Sequence, residues 1–278
     1  MRFLIHVLMT ALLLITTSLS AETVSKNTVN NTNIEKPDLA REKRMAAEVE
    51  DAVLDGEVIY LKAGDHEFMA IDTEAEGFSD VKNAVLILHG RGFHPNWEDA
   101  IFPLRTQLPK IGWRTLSLQM PVLEKSAKYY DYVPLFSHAG PRIEAGIKYL
   151  RKNGVHNIVL LAHSCGGHMA MDWIRNNGDK YIEGYIGAGM GATDYEQKMQ
   201  EPFPLDKMRV PVLDIYGEKE YPAVIRMAPK RLAAIKKGGN PLSQQMVVKG
   251  ANHYFTDEGD ALVKQVTHWL DSLDSSSQ

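Results

Sequence analysis

The chain has 278 residues, 44% hydrophobic and 24% charged, with a formal net charge of −4. That composition suits a globular protein long enough for one large α/β core, and the charge balance excludes a broad basic surface for nucleic acid. The basic stretch 230–237 reads as the solvated face of a helix.

The N-terminus carries Arg2, then an apolar run over 3–15, then the small residues of 16–21. A short positive end, an apolar stretch and a small-residue exit predict a secretory signal peptide over 1–21. The run is too short to span a bilayer, and no later stretch is long enough, so no membrane span is expected in the mature protein. The expected location is outside the cytoplasm, periplasmic or secreted. Residues 22–45 are polar and poor in aromatics. They read as a tether, disordered or partly helical from Pro37, with the folded domain expected over 46–275. Cys165 is the single cysteine, so no internal disulfide is available and the fold depends on its core.

Beyond residue 55 apolar and polar residues alternate over 57–61 and 67–72 around Gly64-Asp65, which predicts a hairpin. An aliphatic run at 84–88 leads into His89-Gly90-Arg91-Gly92. Helical spacing follows over 99–110, a strand over 115–120 and a helix over 142–152 that stops at Asn153-Gly154. Strands are predicted at 158–162, 182–188, 210–216 and 244–248, and helices at 167–175, 223–237 and 257–273. Buried strands alternating with helices predict a mostly parallel sheet covered on both faces, with the hairpin as an antiparallel edge. Ligands in such sheets bind beyond the carboxyl ends of the strands.

Ala162-His163-Ser164-Cys165-Gly166 joins a strand to a helix and fits a G-x-S-x-G nucleophile elbow, with alanine at the first glycine. Small neighbours are needed there because strand and helix backbones come close. Ser164 is the expected nucleophile; the competing role for a serine at this place is a helix N-cap. The backbone N–H of Cys165, at the positive end of the helix, is the expected first oxyanion donor. The second is assigned to Arg91 or Gly92 on the glycine loop. A serine needs a base and the base an oriented carboxylate. His253, after the last strand, is the expected base. Glu220, in the loop past the 210–216 strand, is the favoured acid, with Glu218 and Asp214 as alternatives. His94 and Trp97, just past the oxyanion loop, are candidates to line the substrate pocket, and Tyr130 to line its rim; packing or capping roles compete with each. No metal-ligand spacing and no nucleotide motif is present, so no cofactor is expected.

Together these motifs resemble the α/β-hydrolase superfamily. More narrowly, residues 89–123, with LLAHSCGGHMA and GANHYF, resemble a family of exported bacterial proteins, the domain of unknown function 3530, over about residues 45–273. The resemblance implies an α/β-hydrolase fold and shared positions at His89, Gly90, Gly92, Ser164 and His253; the segment from Gly189 to Arg209, about twenty residues, leaves room for little or no lid. The expected activity is hydrolysis of a carboxylic ester or related acyl bond in a small-molecule, glycan or lipid substrate. The alternative is a non-catalytic binding protein on the same fold.

Overall fold

The computed structural model describes residues 36–275. The predicted signal peptide (1–21) and the part of the tether over 22–35 lie outside the described residues.

Eight strands form one sheet in the order β1-β2-β4-β3-β5-β6-β7-β8. The hairpin β1 (Glu57–Ala63) and β2 (His66–Thr73) is antiparallel, and β2 joins β4 (Arg114–Leu118) antiparallel. The remaining pairs are parallel: β4 with β3 (Asn83–Leu88), β3 with β5 (Asn157–His163), β5 with β6 (Gly184–Ala188), β6 with β7 (Val212–Lys219) and β7 with β8 (Gln244–Asn252). The eight strands stand where the sequence pattern predicts them, with ends displaced by a few residues.

Successive side chains on a strand point to opposite faces, and the two cores divide on that rule. Leu86, Leu88, Leu160 and Ala162 face one core, shared with Ile143 and Ile147 of α4 (Phe136–Lys152) and with Met169 and Trp173 of α5 (Cys165–Asn177). Val85, Ile87, Val159 and Leu161 face the other, against Ile101 and Leu104 of α2 (Ile101–Gln107) and Leu262, Val266 and Trp269 of α7 (Gly259–Ser275). Each fully buried Leu or Ile contributes about 1.5–3 kcal/mol. The aliphatic runs of β3 and β5 are therefore what place these two strands at the centre of the sheet.

Helix α4 and the helix before β1 differ most from expectation. α4 starts at Phe136, six residues before the predicted start, and carries Pro141 inside it. Proline in a helix interior lacks the donor its turn needs, so the pattern alone places the helix start after it. α1 (Leu39–Glu50) begins inside the predicted tether, capped by the Asp38 side chain, which accepts from the Arg41 N–H at 2.9 Å. Its polar sequence hides a packed face. Glu42 is buried and meets buried Arg142 at 2.9 Å, and Ala46 and Val49 pack on Met69 and Ile71. The folded unit therefore starts before residue 46.

Candidate active site

Ser164 sits between β5 and α5 with φ 54° and ψ −119°. This left-handed conformation is strained for a residue with a Cβ. Its N–H donates to the Ala188 carbonyl at 2.8 Å, and its side chain makes no capping bond to α5. The hydroxyl faces the His253 imidazole instead, with Oγ to Nε2 at 2.7 Å. A Cβ on Gly166 would stand 2.6 Å from the His89 carbonyl oxygen and 2.8 Å from that of Leu88. The turn thus brings α5 against β3, and only glycine fits. Gly166→Ala is expected to cost about 1–3 kcal/mol of stability through this overpacking, read as a lower denaturation midpoint with an unchanged slope.

The sheet brings the other two side chains to the same end. β7 and β8 stay paired to Lys219↔Asn252 across an irregularity at Gly217. Glu220 and His253 are the next residues on the two strands. His253 Nδ1 meets Glu220 Oε1 at 2.5 Å, and that oxygen also accepts the Tyr221 N–H at 2.7 Å. Ser164, His253 and Glu220 are all buried. The other two carboxylates considered as the acid stand elsewhere. Glu218 Oε2 accepts from the Gly250 N–H, and Asp214 Oδ2 accepts from Arg231 Nε at 2.8 Å and Gln245 Nε2 at 2.7 Å.

Asp214 and Arg231 form a buried ion pair under β7, and Arg231 also donates to the Met190 and Val224 carbonyls. Removing one partner leaves the other charge buried and uncompensated. Arg231→Met is expected to lower stability by about 3–5 kcal/mol, measured by denaturant unfolding.

Two buried histidines hold the loops. His89 donates from Nδ1 to the Gly90 carbonyl at 2.8 Å and accepts the Met120 N–H on Nε2 at 2.8 Å. His163 donates from Nε2 to the His253 carbonyl at 2.9 Å. Burial pushes each down to about 3, so both stay neutral and act as fixed hydrogen-bonding braces. His163 thereby ties the end of β5 to the loop of His253. Burial pushes the Cys165 thiol up to about 12, which keeps it protonated and a poor nucleophile.

Ser164 and His253 open on a cleft of about 890 Å³. Cys165 and Arg91 line it; Gly92 does not. The Gly92 carbonyl turns to the back of the loop and accepts from Arg41 of α1 at 3.5 Å, while Arg41 also donates to the Leu123 carbonyl. Of the two residues considered for the second oxyanion donor, Arg91 is thus the one on the cleft.

The predicted pocket residues need correction. Phe93 lines the cleft, and Trp97 stacks behind it with ring centroids 3.7 Å apart. His94 packs edge-on to Trp97 and takes the Asn96 N–H on Nδ1. Neither His94 nor Trp97 lines the cleft. Tyr129 lines it, whereas the exposed Tyr130 receives the Lys198 N–H on its hydroxyl, outside the cleft. Both stand on a one-turn helix, α3 (Tyr129–Tyr132).

Further cleft residues escape sequence reasoning. Asp194 pairs with Arg91 and accepts the Tyr129 N–H, so the 192–202 segment closes one wall. Tyr221 stacks on the His253 ring at 4.4 Å and its hydroxyl meets that of Tyr254 at 2.7 Å. Contacts between residues so far apart in the chain leave no local pattern to read.

The model of the family described as a protein of unknown function, DUF3530, matches residues 3–140 and 136–272. The chain belongs to the DUF3530 family. No curated protein sequence matches this DUF3530 chain. Solved structures do match it in fold. Est1E from Butyrivibrio proteoclasticus is 15% identical, covers 78% of this chain and 99% of its own, and superposes with a TM-score of 0.60. An alpha-beta serine hydrolase homologue from Coxiella burnetii is 16% identical over 77% of this chain and 98% of its own, with a TM-score of 0.58. A soluble variant of monoglyceride lipase from Saccharomyces cerevisiae, in complex with a substrate analog, is 14% identical over 80% and 96%, with a TM-score of 0.58. The DUF3530 chain therefore has the α/β-hydrolase fold. Among its described residues no helix is long and apolar enough to cross a membrane.

Proposed function

We propose that this protein is an exported serine hydrolase that cleaves a carboxylic ester or related acyl bond. The observation that carries the reading is the continuous line Ser164 Oγ, His253 Nε2, His253 Nδ1, Glu220 Oε1, with separations of 2.7 and 2.5 Å, opening on a cleft. Export rests on the leader-like pattern of 1–21 alone.

In this reading Ser164 Oγ attacks the substrate carbonyl while His253 Nε2 takes its proton. Glu220 holds Nδ1–H, which fixes the tautomer that leaves Nε2 free to accept, and it stabilises the imidazolium that forms. The oxyanion of the tetrahedral intermediate receives the N–H groups of Cys165 and Arg91. The first-turn N–H of α5 has no carbonyl one turn back to serve, and the helix end favours the developing charge. Collapse of the intermediate expels the alcohol, which takes the proton from His253. Water then repeats the sequence on the acyl-serine and releases the acid.

A fluorophosphonate probe tests the chemistry. Wild type is expected to label at Ser164, and an ester panel of varied chain length is expected to show turnover that His253→Ala loses. A folded wild type that neither labels nor turns over any ester favours the binding-protein alternative.

A further inference from the structure

One wall of the cleft is the helix α6 (Pro222–Gly238). Pro222, Ala223, Arg226, Met227 and Lys230 all line the cleft. Their spacing is one face of a helix, i, i+1, i+4, i+5 and i+8. The helix therefore runs along the cleft, starting beside the base, since Tyr221 immediately before it stacks on His253. At 1.5 Å per residue, Arg226 lies about 6 Å and Lys230 about 12 Å along the axis from Pro222.

These two cations stand out on three grounds. They are exposed, and among the described residues neither side chain takes part in an ion pair or hydrogen bond, whereas Arg231 on the same helix is buried against Asp214. Like charges one turn apart disfavour a helix, so folding gives no reason to keep the pair. The cleft lining also opposes the balance of the chain. The whole sequence is net negative, yet the cleft carries Arg91, Lys198, Arg226 and Lys230 against Asp194 and Glu196, and Arg91 is already matched to Asp194. A concave wall of one sign concentrates ligands of the other. The same cleft also presents apolar lining, with Phe93, Met199 and Met227.

We propose that the substrate is an anionic ester: an apolar spacer joins the scissile carbonyl to a carboxylate or phosphate that Arg226 and Lys230 receive. This rests on the hydrolase reading and adds the substrate class to it. The anion is held about one to two helical turns from the base.

The test compares charged and neutral isosteres in two arms. One arm uses aryl esters whose acyl chain ends in a carboxylate or in a methyl group. The other uses acyl esters of glycerol phosphate and of glycerol, which moves the charge to the leaving alcohol. In at least one arm wild type is expected to favour the anionic ester by about five- to tenfold in kcat/KM. That ratio is expected to fall to about one in Arg226→Met/Lys230→Met, and to shrink as salt rises from about 0.05 to about 0.5 M. The arm that responds identifies the side of the bond carrying the charge. No anionic preference in either arm, or a preference that persists in the double variant, overturns the proposal while leaving the hydrolase reading intact. A calorimetric titration of Ser164→Ala with decanedioate, decyl phosphate and decanol separates the two ideas further. Binding of the anions that depends on Arg226 and Lys230 supports the site even if wild type hydrolyses no ester. Equal binding with and without the cations removes it.

Discussion

Ser164→Ala is expected, on the proposed mechanism, to lower kcat for ester hydrolysis on the order of 10⁶-fold, as removal of the nucleophile does in triad enzymes. The neighbouring thiol cannot substitute. Cys165 is buried, and burial pushes its thiol up to about 12, so almost none is thiolate at neutral pH. The fold should tolerate the change. The Ser164 side chain caps nothing, and the substitution removes only its hydroxyl and the hydrogen bond to His253. Alanine keeps a Cβ at φ 54°, so the strain of the turn is unchanged. The measurement is single-turnover kinetics beside thermal unfolding. Retained turnover in a folded variant would place the chemistry on another residue.

Glu220→Gln is expected to lower kcat by about 10⁴ with little change in KM, the size of the wrong-tautomer effect in serine-protease triads. The amide is nearly the shape of the carboxylate, although an NH₂ turned to His253 Nδ1 gives up the Tyr221 N–H bond, because Oε1 serves both. It carries no charge to stabilise an imidazolium, and its NH₂ can turn Nδ1 into the acceptor, which puts the proton on the wrong nitrogen for Ser164. Steady-state kinetics with an activated ester read this directly. A drop in stability without a drop in kcat would assign the role of Glu220 to packing. Glu218→Gln, at a carboxylate bonded to the Gly250 N–H, is the control and should leave kcat near wild type.

What the sequence could carry follows from where local rules reach. The aliphatic runs 84–88 and 158–162 specify buried strands because period 2 assigns each residue to a face, and those faces became the two cores. Ser164 was legible because its turn admits only small neighbours, as the surroundings of Gly166 show. Glu220 and His253 were legible as strand-end residues. What joins them is the register Lys219↔Asn252, which no local pattern states. In loops no period fixes where a side chain points. Hence Phe93 faces the cleft where His94 and Trp97 were expected, and Tyr129 where Tyr130 was. The pairing of Arg91 with Asp194 joins residues 103 apart in the chain, which no local pattern states.

Helix α1 makes the upstream border of the domain a working part. Arg41 reaches the Gly92 carbonyl of the 89–92 loop, and Glu42 neutralises Arg142 inside the protein. A truncated form starting at residue 46, the border that composition suggests, would leave Arg142 as an interior cation with no counterion and the loop unbraced from behind. Inactivity of such a shortened protein would be a property of the cut, with Ser164, His253 and Glu220 all still in the chain.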